Sequence, residues 1–147
     1  MTDEPPETTL RIERIFDAAV YRVFEAWTSV EVLRRWWHAE SDWETPSAEV
    51  DLRVGGRIRI TMRDPAAGRD YGGEGQFTVI EPPRRLAFTW IWDDDPSNPQ
   101  LVNVEFTAHG EQTTVVLTVS GIPAEAREDH LDGWQTSFDN LEEALRR

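Results

Sequence analysis

The last segment of the chain carries an apolar stripe, Leu131, Trp134, Phe138, Leu141 and Leu145, whose steps of three and four residues have the period of a helix. The stretch from Ser47 to Ser120 has the period of a strand instead. Its apolar residues alternate as Val50, Leu52, Val54; Ile58, Ile60, Met62; Phe77, Val79; Leu86, Phe88, Trp90, Trp92; Val102, Val104, Phe106; and Val115, Leu117, Val119. Polar residues such as Asp51, Arg57, Arg59, Thr89, Glu105 and Thr118 fill most of the positions between them, the pattern of a sheet packed on one face and wet on the other. One broad antiparallel sheet with a single long helix to cover it is the economical arrangement, and the sheet must curl around that helix.

Upstream, Thr8 to Phe16 reads as a first strand, Asp17 as an N-cap, and Val20, Val23, Phe24 and Trp27 as a short helix. Thr28 and Glu31 have capping-box spacing and open a second short helix carrying Val32, Leu33, Trp36 and Trp37. Gly55-Gly56 and His109-Gly110-Glu111 mark hairpins, Pro82-Pro83 closes a strand, and Asp93 to Pro99 is an exposed loop. Gly72, Gly73 and Gly75 interrupt a strand and mark a bend. The order is one strand, two short helices, six strands and a long helix beginning near Glu125 or Asp129. With no helical crossovers between the strands, the class is α+β.

A chain of 147 residues makes one domain with a real core, here placed at residues 8–147 behind a disordered acidic tail over residues 1–7. Fifteen basic residues, all Arg, stand against 28 acidic ones, and a net charge of −13 opposes binding to nucleic acid. Without cysteine there is no disulfide, thiol nucleophile or thiolate metal site. No apolar run approaches the ~20 residues of a membrane span, and the first residues lack signal-peptide regions, so a soluble, cytoplasmic protein is expected.

Several stretches together resemble one family: Leu33-Arg34-Arg35-Trp36-Trp37, Val54 to Arg59, Glu81-Pro82-Pro83-Arg84-Arg85-Leu86-Ala87-Phe88-Thr89-Trp90, and Gly133-Trp134 ahead of Leu141. They are similar to the activator of heat-shock-protein-90 ATPase homologue family of the START-like (SRPBCC) superfamily. The resemblance runs from about Thr8 to Leu145. It implies the helix-grip fold, shared with the birch-pollen allergen, in which a curved antiparallel sheet wraps a C-terminal helix and leaves a cavity between them. Superfamily members include lipid and hormone carriers, polyketide aromatases and cyclases, antibiotic-binding proteins and chaperone-interacting domains.

The expected function is binding of a small apolar or aromatic molecule in that cavity. Trp37, Met62, Phe88, Trp90, Val104, Phe106, Trp134 and Phe138 are the expected ligand-binding residues, because large rings and inner-face apolar side chains suit such a ligand. An enzyme of the cyclase or aromatase type is the alternative, with His38 beside Trp36-Trp37 as its proton-transfer residue, and a chaperone co-factor is another. His38, His109 and His130 show no metal-ligand spacing, and no cofactor is expected. Glu74, by the phase of Phe77 and Val79, points outward. No Walker, Gly-x-Ser-x-Gly or HExxH pattern is present.

Overall fold

The alternation becomes a seven-stranded antiparallel sheet in the order β1-β7-β6-β5-β4-β3-β2. The computed structural model describes residues 8–146, so the acidic segment 1–7 lies outside the described residues. The elements are β1 (Thr9–Phe16), α1 (Val20–Ala26), α2 (Val30–Trp36), β2 (Glu44–Val50), β3 (Arg57–Asp64), β4 (Arg69–Glu81), β5 (Arg85–Trp92), β6 (Gln100–His109), β7 (Gln112–Ser120) and α3 (Arg127–Leu145). A single 3₁₀ turn, Ala124–Ala126, leads into α3. Between β1 and β2 the chain passes from one edge of the sheet to the other. The two short helices occupy that passage, α1 against β6, β7 and α3, and α2 against β2 and α3.

One face of the curved sheet is dry. Leu10, Ile12, Ile58, Ile60, Phe77, Phe88, Val104, Leu117 and their neighbours are almost fully buried on it, and α3 lays Phe138, Leu141 and Leu145 against them. Each fully buried Leu or Phe contributes ~1.5–3 kcal/mol, so the terminal helix belongs to the core. Arg14 falls on the inner phase of β1 at the sheet edge and grips α3. Its guanidinium donates to Asp139 at 2.7 Å and to Gln135 at 2.8 Å, and it lies 5.6 Å from the Phe138 ring centroid.

Three local expectations are corrected. Asp17 does not cap α1: the residue at the N-cap is Ala19, because Ala18 is buried with its carbonyl taken by the Thr113 hydroxyl at 2.8 Å. The chain must pass that anchor before a helix can start. Thr28 does not cap α2 either; its hydroxyl donates back to the carbonyls of Phe24 and Glu25, and Ser29 stands at the N-cap. Leu52 and Val54 continue the alternation but not the strand. β2 ends at Val50, and residues 51–56 form a compact turn in which Gly56 donates to Arg53 at 2.7 Å and Gly55 to Phe77 at 2.8 Å. A Cβ on Gly56 would collide with the Asp51 carbonyl, while Gly55 has φ +85°.

Candidate functional site

The site is assembled from the segment that follows α2. Trp36 is anchored through its indole N–H to the Ala26 carbonyl at 2.8 Å, in a buried setting. Beyond it the helix ends with the His38 N–H turned back onto Trp36 O at 2.8 Å, and α3 adds donors to this segment. Ser137 Oγ donates to His38 O at 2.9 Å, and Asn140 Nδ2 donates to His38 O at 3.3 Å and Trp36 O at 3.4 Å. Opposite this segment Gly133 leaves room, since a Cβ there would lie 3.3 Å from the Ala39 Cβ. The chain then swings outward to Trp43, whose ring stacks on Tyr71 with centroids 5.2 Å apart and planes 3° apart.

Between these parts lies a cavity of about 400 Å³ at one end of the groove between α3 and the sheet. Trp37, Ala39 and Trp43 border it from the segment after α2, Met62, Tyr71 and Trp92 from β3, β4 and β5, and Gly133, Trp134 and Ser137 from α3. Asp94 and Asp95 after β5, and Asp129 and His130 at the start of α3, complete the lining. The cavity exists here because the other end of the groove is full. Trp27 occupies that end, with ring contacts to Trp36, Trp37, Phe106, Trp134 and Phe138 at 4.7 to 6.4 Å.

Glycines shape the floor. Gly73 pairs with Ile60 and Trp92 on the inner phase, and a Cβ on it would lie 2.5 Å from Cζ2 of Trp90. Gly75 brings β4 against the Thr89 carbonyl, so a Cβ there would collide with backbone. Where the sequence marked a bend, the glycines provide space for close approach of β5 and for the Trp90 ring.

The loop carrying Asp94 and Asp95 is held at its base. Arg59 grips Asp93 with two hydrogen bonds of 3.1 and 2.7 Å and also reaches Glu74 at 3.0 Å. The hydrogen bond from Arg59 holds Asp93 below the usual carboxylate range, and the hydrogen bond and charge of Arg57 first, then the charge of Arg59, do the same for Glu74. Glu74 sits on the outer face, half exposed, as the phase of its strand requires.

Of the expected ligand-binding residues, Trp37, Met62 and Trp134 border the cavity. Phe88, Trp90, Val104, Phe106 and Phe138 lie elsewhere, inside the core. Phe88 packs on Phe77 and Trp37 at 5.9 and 6.2 Å, and Trp90 on Trp37 and Trp92 at 5.3 Å each. Phe106 meets Phe24 at 5.4 Å and Phe138 meets Phe16 at 5.6 Å, while Val104 is sealed between Leu86 and Leu117 in the ladder.

His38 borders a separate, open depression between α2 and β2, with Arg34, Arg35, Glu44 and Thr45. Thr45 donates its hydroxyl proton to Trp37 O at 2.6 Å, so His38 Nδ1, 3.0 Å from Thr45 Oγ1, donates to that hydroxyl oxygen. Burial of the ring lowers its pKa. The histidine in the cavity lining is His130. Its Nδ1 donates to Ala126 O at 2.9 Å, which leaves Nε2 to accept from Gln100 at 3.5 Å.

Sequence reasoning missed Ala39, Trp43, Tyr71, Asp94, Asp95, Asp129, His130, Gly133 and Ser137, and it read Trp92 only as part of an aromatic strand. Trp92 and Tyr71 had a findable signal, since both sit on the inner phase at strand ends, where the helix no longer covers the sheet. The others come from loops and helix termini, which carry no period. Among the described residues no group of three or more His, Asp or Glu is placed to hold a metal ion, and no helix is long and apolar enough to cross a membrane.

The family model described as Activator of Hsp90 ATPase homolog 1-like protein matches residues 17–146. Among solved structures, a Chromobacterium violaceum protein superimposes with a TM-score of 0.88 at 23% identity, covering 95% of this chain and 99% of that one. An AHSA1-like protein from Aeromonas hydrophila is 30% identical with a TM-score of 0.80, covering 94% of this chain and 92% of its own. The AHSA1 protein of Silicibacter pomeroyi is 28% identical with a TM-score of 0.82, covering 94% of this chain and 97% of its own. No curated protein matches.

Proposed function

The chain belongs to the Activator of Hsp90 ATPase homolog 1-like family, and we propose that within this helix-grip fold it binds a small, largely apolar molecule in the cavity between α3 and the sheet. The observation that carries this reading is an unfilled space of about 400 Å³ bordered by five aromatic rings. That volume lies in the range of small-molecule sites, and rings that merely filled a core would have closed it. Trp43, Tyr71, Trp92 and Trp134 stand half buried beside it, so a ligand would remove from water apolar surface that folding alone leaves wet.

Binding is favoured over catalysis because the cavity holds no coupled acid and base. Both nitrogens of His130 are engaged by Ala126 and Gln100, and His38 opens on a different depression. Docking to another protein through an apolar surface is also less favoured. The exposed large apolar residues Ile15, Tyr21, Leu52, Val54, Ile91 and Leu101 are spread over β1, α1, the β2–β3 turn, β5 and β6.

The test uses the neutral hydrophobic dye phenylnaphthylamine. It should bind near one per chain, quench tryptophan emission and raise the melting temperature, by about 2.7 kcal/mol of added stability at a hundredfold excess over Kd. Ala39→Phe places a ring in the cavity and should abolish binding while cooperative unfolding persists. A wild-type protein that takes up no dye, or an Ala39→Phe variant that binds it unchanged, overturns the proposal.

A further inference from the structure

We propose that the molecule this cavity takes is an organic cation, an ammonium or amidinium group on an aromatic or alkyl body. The inference rests on the reading of the cavity as a ligand site and adds the charge of what it binds. Its first support is the composition of the lining, which holds three carboxylates, Asp94, Asp95 and Asp129, and no arginine. They reach it from two elements, the loop after β5 and the first turn of α3, so the fold and not a run of sequence gathers them.

An acidic chain places carboxylates everywhere, so the decisive point is how they are partnered. On the outer face of β2 to β5 the acids nearest the cavity end are ion-paired, Glu49 and Glu74 with Arg57, Asp93 and Glu74 with Arg59, and Asp70 with Arg63, while among the described residues Glu105 on β6 accepts from Asn103 alone. At the cavity Asp95 accepts from Asn98 at 2.7 Å, but among the described residues Asp94 and Asp129 have no ion pair and no hydrogen bond. Arg69 lays its guanidinium 4.8 Å from the centroid of Tyr71 and is not part of the lining.

The second support is the chemistry of the walls. Indole and phenol faces are electron-rich and attract a cation held within about 6 Å of the ring. Arg69 on Tyr71 shows this attraction at work in the same wall. A ligand with an apolar body and a positive head satisfies both halves of the site at once, the body against Trp43, Trp92 and Trp134 and the head toward Asp94 and Asp129. A carboxylate or phosphate ligand would instead meet unpaired negative charge at the mouth, within a chain of net charge −13.

The experiment compares three probes of similar body by calorimetry: a naphthylmethyl trimethylammonium salt, naphthylacetamide and naphthylacetate. The ammonium compound should bind at least about tenfold tighter than the amide, and the acetate weakest. Added salt should weaken the ammonium compound alone. In the Asp94→Asn, Asp129→Asn double variant the ammonium advantage should fall toward unity while the amide's affinity is unchanged. If the amide and phenylnaphthylamine bind but the ammonium compound shows no advantage, or the double variant keeps it, the cation assignment is overturned and the apolar cavity stands. If none of the probes and no dye binds, both readings are overturned.

Discussion

A single methyl group at Gly73 tests the geometry on which the cavity floor depends. In the Gly73→Ala variant the new Cβ would lie 2.5 Å from Cζ2, 2.7 Å from Cε2 and 2.9 Å from Nε1 of Trp90, where ordinary contact begins at about 3.4 Å. The ring must therefore withdraw by about 0.9 Å along its closest contact. Trp90 is 2% exposed and hemmed by Trp37 and Trp92 at 5.3 Å each, so there is no empty space behind it within the core. Overpacking of this kind costs ~1–3 kcal/mol, and the lower entropy of the unfolded alanine chain returns ~0.4–1 kcal/mol. The net loss, about 1–2 kcal/mol, corresponds to roughly 3–8 °C in melting temperature for a domain of this size. Gly72→Ala is the matched control. Its Cβ points to the opposite face and meets the ends of the paired Asp93 and Arg59 at 2.7 and 3.0 Å and the Thr61 hydroxyl at 3.3 Å, so it perturbs the outer ion pair and leaves the Trp90 ring alone. Urea unfolding followed by tryptophan emission gives the stabilities, and near-ultraviolet circular dichroism reports the ring. A Gly73→Ala protein as stable as the wild type, with an aromatic spectrum no more changed than that of the Gly72→Ala control, would refute the packing of Trp90 on Gly73.

The bridge between α2 and α3 should act cooperatively. Ser137→Ala removes one donor to the His38 carbonyl and should cost ~1 kcal/mol, whereas the Ser137→Ala, Asn140→Ala pair leaves that carbonyl with neither of its α3 donors, Trp36 O keeping the His38 N–H, and should cost more than twice that, checked by denaturant unfolding. His38 links stability to pH. Its folded pKa is depressed below 6.5 by burial, so the unfolded chain binds the extra proton first, and stability is full above about pH 6.5 and lost as pH falls from there through the folded value. His38→Asn, which retains a donor for Thr45, should flatten this part of the pH profile, and a wild-type profile level across the same window would contradict the buried, neutral ring.

The sequence alone placed most of what depends on period. Alternation placed the faces of most strands, though a bulge after Phe77 puts Ile80 and not Val79 opposite Leu86; the stripe from Leu131 to Leu145 placed α3, and the glycines at 55 and 110 placed turns whose φ is indeed positive, because these signals are local. The family was legible for the same reason, since its marks are short ordered stretches. Caps were less legible. Asp17 and Thr28 have the chemistry of a cap, yet the buried anchor at Ala18 and the back-bonding of Thr28 decided where the helices start.

Only the tertiary structure decided which inner-face aromatics fill the core and which border open space. Phe88 and Phe106 share the inner phase of Trp92 and Tyr71, as Phe138 shares the inward face of α3 with Trp134, but period fixes a side chain's face and not its position along the groove. Phe106 and Phe138 are sealed under Trp27 and Phe88 under Trp37, whereas Trp92 and Tyr71 remain beside the cavity. Trp43, Asp94 and Asp129 are farther from sequence logic still. They come together because Ser137, Asn140, Gly133 and Arg59 hold two loops and a helix terminus at fixed distances, and such contacts between distant segments leave no periodic trace in the chain.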